Sequence, residues 1–159
     1  MYRRIYRGRR ALDPEDVETL REAYNFGTLL LRQLRHEEVV SLLRVNLPIA
    51  ERTLGLDNEL SMRLASLLAE GTFHSSLARA GLNLKEAISH GATLVLPEDS
   101  TFDLRDEILG AAATLERVHS RARRVFGDSH PFTVHVLDSL GKTRTMVCNL
   151  ENSTITYIE

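Results

Sequence analysis

The side chains of this 159-residue chain with the means to do chemistry are six histidines, one cysteine and a set of unevenly spread arginines. The histidines are His36, His74, His90, His119, His130 and His135, and they contain no HExxH or comparable ligand pair, so no metal centre is expected. His130 precedes Pro131 at a helix start and is accounted for by the cap position. Cys148 can form no internal disulfide and rules out sites built on paired cysteines. As a nucleophile it would need a base in an ordered setting, and it falls in residues 142–159, which read as an irregular tail. Gly55, Gly71, Gly81 and Gly91 are scattered and form no phosphate-cradling loop. Neither catalysis, a cofactor nor a metal is expected.

The arginines leave more open. Arg3, Arg4, Arg7, Arg9 and Arg10 crowd the first ten residues with no acid among them, although the whole chain carries a net charge of −2. Such a start can grip phosphates or an acidic surface. It is also what the end of a helix carries when positive charge complements its dipole. With Tyr2 and Tyr6 nearby, and Arg121, Arg123 and Arg124 further on, the alternative function is a nucleic-acid-binding helical domain. The overall acidity, with a sequence pI near 6.3, argues against it.

What positions these residues is a recurrence. Asp13-Pro-Glu-Asp-Val-Glu-Thr19, Gly55-Leu-Asp-Asn-Glu-Leu-Ser61 and Pro97-Glu-Asp-Ser-Thr-Phe-Asp103 succeed one another at 42-residue intervals, the mark of a stacked helical repeat. Asp16, Asn58 and Ser100 share the slot just before a helix, where a side-chain oxygen caps free amides. First helices are predicted over 17–33 and 59–75, and second helices over 36–54 and 78–96. Leu20, Ala23, Phe26, Leu30 and Leu34 recur at three- and four-residue spacing, as do Val39, Leu42, Leu43, Leu47, Ala50 and Leu54. Pro48 falls inside one helix, where it removes a backbone bond; it either kinks that helix or is tolerated near its end.

The third interval is short, 30 residues from Asp103 to Thr133, and predicts one long helix over 103–126 with Gly110 as its weak point. A hairpin split at Gly110 is the rival. A helix opening at Pro131 is predicted to end near 141. The β-branched tail beyond it, Thr145 to Ile158, reads as strand-like or loose. Residues 1–12 fill the slots of a second helix, with Ile5 matching Leu47 and Leu12 matching Leu54. The organisation is then a partial helix (1–12), two units (13–54 and 55–96), a shortened third (97–126), a partial fourth (127–141) and the tail. The array reads as a fragment, and its uncapped first helix predicts self-association.

The first unit resembles the 42-residue tetratricopeptide repeats of the kinesin light chain type. Asp16-Val-Glu-Thr19-Leu20 stands at the start motif, Asn25-Phe26-Gly27 at the Asn-Leu-Ala step, and Leu34-Arg35-His36-Glu37-Glu38-Val39 at the interhelix turn. Gly127-Asp-Ser-His130-Pro131-Phe-Thr133 matches the start motif best. Leu34 replaces the turn glycine, Val39 the small alanine where helices touch, and Leu67-Leu68-Ala69 the Asn-Leu-Ala step of the second unit. HEAT-like repeats have a similar length, but the start motif favours the tetratricopeptide kind.

The resemblance implies an all-α fold, antiparallel helix hairpins stacked as a short right-handed α-solenoid, whose first helices line a concave groove for a partner peptide. That groove would carry Arg21, Tyr24, Asn25, Thr28 and Arg32 from the first unit, and Arg63, Ser66, Glu70, Phe73 and His74 from the second. Asn25 can bond a peptide backbone as both donor and acceptor, arginine forks bind carboxylates, and Tyr24 and Phe73 would seat apolar anchors. The function this implies is a protein-interaction scaffold binding an extended, acidic peptide. No apolar run approaches the roughly 20 residues of a membrane helix. The opening residues lack the apolar core of a secretory signal, so a cytoplasmic setting is expected.

Overall fold

Apolar residues spaced by three and four, interrupted by turns, make the described part of the chain all-α, with its helices packed on one another. The computed structural model describes residues 2–82 and 101–152. Its helices are α1 (Tyr2–Leu12), α2 (Val17–Arg32), α3 (His36–Leu54), α4 (Glu59–Arg79), α5 (Thr101–Phe126) and α6 (Pro131–Asn152). No strand forms among the described residues, and no helix there is long and apolar enough to cross a membrane. Each helix packs on the next, and α4 also touches α2 on one side and α6 on the other, while α3 and α5 make no close backbone approach.

The helix ends follow from local chemistry. Asn58 accepts from the Leu60 amide at 2.9 Å and so caps α4. His130 accepts from the Phe132 amide through Nδ1 at 3.3 Å, just before Pro131 opens α6. Asp16 stands at the N-terminal cap of α2 without a capping hydrogen bond from its side chain, which lies 4.0 Å from Arg9 instead. There the Thr19 hydroxyl reaches back to the Asp13 carbonyl at 2.7 Å. Ser100 lies outside the described residues. Pro48 sits exposed within α3, which continues past it to Leu54.

Two apolar clusters share α4. One joins Tyr6, Leu20, Phe26, Leu30, Val39 and Leu43 to Leu64 and Leu67. The other joins Met62, Phe73 and Leu77 to Ile108, Leu115, Val136 and Met146. Side chains such as Leu20, Leu43, Leu64 and Ile108 are fully enclosed, each contributing about 1.5–3 kcal/mol by burial. Because α4 is enclosed from several sides, it has no single apolar stripe. Ser61, Ala65, Ala69, Gly71 and Ser76, all buried, let its neighbours approach closely.

Two expectations need correction. The helix predicted to end at 75 runs to Arg79, so the predicted turn before 78 is itself helical. Ser75 and Ser76 are both buried within it, and the Ser76 hydroxyl is satisfied by the Thr72 carbonyl at 2.8 Å and by Glu107 at 2.5 Å. Most of the second helix predicted over 78–96 lies outside the described residues.

The tail read as irregular from 142 is helical through Asn152. Val136, Leu140, Thr143 and Met146 keep helical spacing and are buried, and that packing outweighs β-propensity. The Thr143 and Thr145 hydroxyls bond the carbonyls four residues back, at 2.8 and 3.0 Å. Cys148 therefore sits on a helix, exposed, rather than in a loose end. Finally, α5 passes Gly110 without reversing and packs on both α4 and α6.

Candidate functional site

Since α4 touches both α2 and α6, polar residues of these three helices come together on one face. Arg63 of α4 is their junction. Its guanidinium lies 5.9 Å from the Tyr24 ring centroid on α2 and 5.0 Å from that of Phe132 on α6, and its Nε donates to Glu59 at 2.8 Å. Burial alone would lower the Arg63 pKa, but the neighbouring Glu59 and Tyr24 outweigh it and raise it further.

Two turns on, Glu70 forms a second junction. His135 Nε2 lies 2.9 Å from its Oε1, the Ser139 hydroxyl donates to the same oxygen at 2.8 Å, and Ser66 donates from 3.4 Å. The Glu70 side chain is 13% exposed. Burial pushes its pKa up, and the bonds from His135 and Ser139 together with the field of His74 overcome that and hold it below the usual range. His135 is raised in return, chiefly by its bond to Glu70. Serine, histidine and carboxylate thus meet here, but Ser139 donates to the carboxylate and not to His135. The arrangement therefore orients the side chains without activating a nucleophile.

A further turn along, His74 stacks on His36, which opens α3, at 5.2 Å between ring centroids and 21° between planes. Burial lowers both pKa values, and the proximity of His36 lowers that of His74 further. Among the described residues, no cluster of histidine, cysteine and carboxylate side chains is arranged to hold a metal.

The ten groove residues divide accordingly. Arg63, Glu70 and His74 line the face from α4, and Tyr24 meets them from α2. Arg21 is exposed and pairs with Glu18 at 3.0 Å. Asn25 is half-buried and Arg32 exposed. Thr28 gives its hydroxyl hydrogen to the Tyr24 carbonyl at 3.0 Å.

Phe73 and Ser66 are corrections. At 3% and 2% exposure they are enclosed, Phe73 in the core cluster and Ser66 beneath Glu70, so neither is open to a ligand. The mapping took each first helix to expose an equally wide strip. α4, flanked by both α2 and α6, exposes a narrower one.

Sequence reasoning missed Glu59, Phe132, His135 and Ser139. A signal for His135 was present, since continuing the alignment from Ser61 to Thr133 carries Arg63 onto His135. Compared with protein-family models, curated proteins and solved structures, the chain matches none.

Proposed function

We propose that this chain is a tetratricopeptide-type array, a short right-handed stack of helix hairpins, acting as a protein-interaction scaffold that holds an extended acidic peptide along the α2–α4–α6 face. The observation that carries this reading is Arg63 set between Tyr24 and Phe132, one side chain joining three helices into a continuous surface. The alternation of contacts, with α4 reaching α2 and α6 while α3 and α5 stay apart, suits stacked hairpins. Arg21 and Arg32 stand exposed three turns apart on α2, with Asn25 between them. Acidic side chains would meet the arginines, and Asn25 would bond the peptide backbone. A cytoplasmic setting accords with this reading.

The test is affinity capture with wild type and with an Arg21→Glu/Arg32→Glu variant. Both positions are exposed, so the melting temperature should be unchanged, and loss of the captured partner is expected. Undiminished capture by the variant removes the even-helix face as the binding site.

A further inference from the structure

Because α3 and α5 both pack on α4 without approaching each other, an open trough of about 610 Å³ runs between them, lined by no residue of α2 or α6. Three helical stripes build it. Arg44, Leu47 and Glu51 come from α3; Ala65, Leu68 and Thr72 form the floor on α4; Gly110, Thr114, Arg117 and Arg121 come from α5. The α5 stripe begins at Glu107 and ends at Arg121, a length of about 21 Å at roughly 1.5 Å per residue. That suits the side of a helix of about four turns.

Charge sets the chemistry of the occupant. Arg44, Arg117 and Arg121 line the trough, and none makes an ion pair among the described residues; Arg117 bonds only the Thr114 hydroxyl, at 3.1 Å. Of the two acids present, Glu107 is already engaged by Arg79 and Ser76. Three cations thus face one uncommitted carboxylate, Glu51, across an apolar floor. Among the described residues no aromatic ring lines the trough, so it offers nothing on which a base could stack.

We propose that this trough receives an acidic amphipathic helix from a partner protein, with the helix's apolar row on Leu47 and Leu68 and its carboxylates against Arg44, Arg117 and Arg121. The site is separate from the even-helix face and does not depend on it.

The test is selection from a displayed library of amphipathic helical peptides against the full chain, followed by fluorescence-anisotropy titration of the selected peptides. Binders rich in Asp and Glu are expected, weakened about tenfold or more by Arg44→Glu/Arg117→Glu/Arg121→Glu. Binding should also be lost on Thr114→Trp, which fills the trough while leaving its charges. Arg21→Glu/Arg32→Glu should have no effect. Circular dichroism melts would show both trough variants folded. The proposal is overturned by an absence of binders, by binders without acidic enrichment, or by binders indifferent to both trough variants. A single-stranded oligonucleotide that binds through the same three arginines would overturn it in favour of nucleic acid.

Discussion

Leu34 is the one non-glycine residue with positive φ among the described residues, at 59°. It closes α2 in a paired-bond motif, with the Leu34 amide on the Leu31 carbonyl at 3.0 Å and the Arg35 amide on the Leu30 carbonyl at 3.0 Å. The same motif closes α4, where Gly81 stands in the equivalent place with φ 70°. A leucine there bears a left-handed backbone, costing about 1–2 kcal/mol, and its side chain is 77% exposed, so packing returns little. Leu34→Gly should therefore stabilise the protein by about 1 kcal/mol, a rise of about 2–4 °C in Tm for a chain of this size. A thermal melt showing no gain or a loss would mean that Leu34 makes a compensating contact. The sequence showed that a glycine was missing from this turn; it did not show that the turn keeps its glycine-like geometry.

At the scale of elements, another departure from the repeat pattern has a structural counterpart. Val39 occupies a position where the resemblance to tetratricopeptide repeats would place a small alanine, and it faces Gly71 of α4 across the α3–α4 contact. A Cβ at Gly71 would lie 2.8 Å from Val39 Cγ1, and valine in a helix has little rotamer freedom with which to withdraw. Gly71→Ala is expected to cost about 1–3 kcal/mol by overpacking. In Val39→Ala/Gly71→Ala the penalty should be smaller than the sum of the single changes, with a coupling of about 0.5–3 kcal/mol. Denaturant titration of the four proteins measures this, and strict additivity would rule out the contact. The helices with an unmixed apolar stripe, α2 and α3, were legible within a residue or so. The ends of α4 and α6 were not, because they depend on burial by neighbours distant in sequence, which neither serine nor a β-branched run announces.

At the scale of the whole molecule, the even-helix face joins groups that titrate in opposite senses. His36 and His74 have lowered pKa values, so they stay neutral in the fold while the unfolded chain takes up protons from about pH 6.5. Their effect is a loss of stability as pH falls below that value. His135 is raised, and its contribution is fully present below about pH 6.5 and lost as pH rises through its folded value. Glu70 is lowered, so its contribution is present above about pH 4.5 and lost as pH falls through its depressed value. Between pH 7 and 5.5 the lowered and raised histidines pull Tm in opposite directions. Relative to wild type, the change in Tm on acidification should be more favourable in His36→Gln/His74→Asn and less favourable in His135→Asn, where the opposing gain is gone. Melts across this range that are parallel in all three proteins would contradict the assignment.

The face itself was half legible. Repeat spacing brought Tyr24, Arg63, Glu70 and His74 into one strip, but Phe73 turned inward and α6 supplied partners that no two-unit mapping included. The central claim, that this strip holds an acidic peptide, is tested most directly by ¹⁵N chemical-shift mapping of the full chain titrated with an extended acidic peptide selected by display against the Arg44→Glu/Arg117→Glu/Arg121→Glu variant, in which the trough between α3 and α5 no longer attracts acidic ligands. Shifts concentrated from Arg21 to Arg32 on α2 and around Arg63 and Glu70 on α4, and absent from Arg21→Glu/Arg32→Glu, are the predicted result. A peptide that binds while leaving those amides unmoved would contradict it.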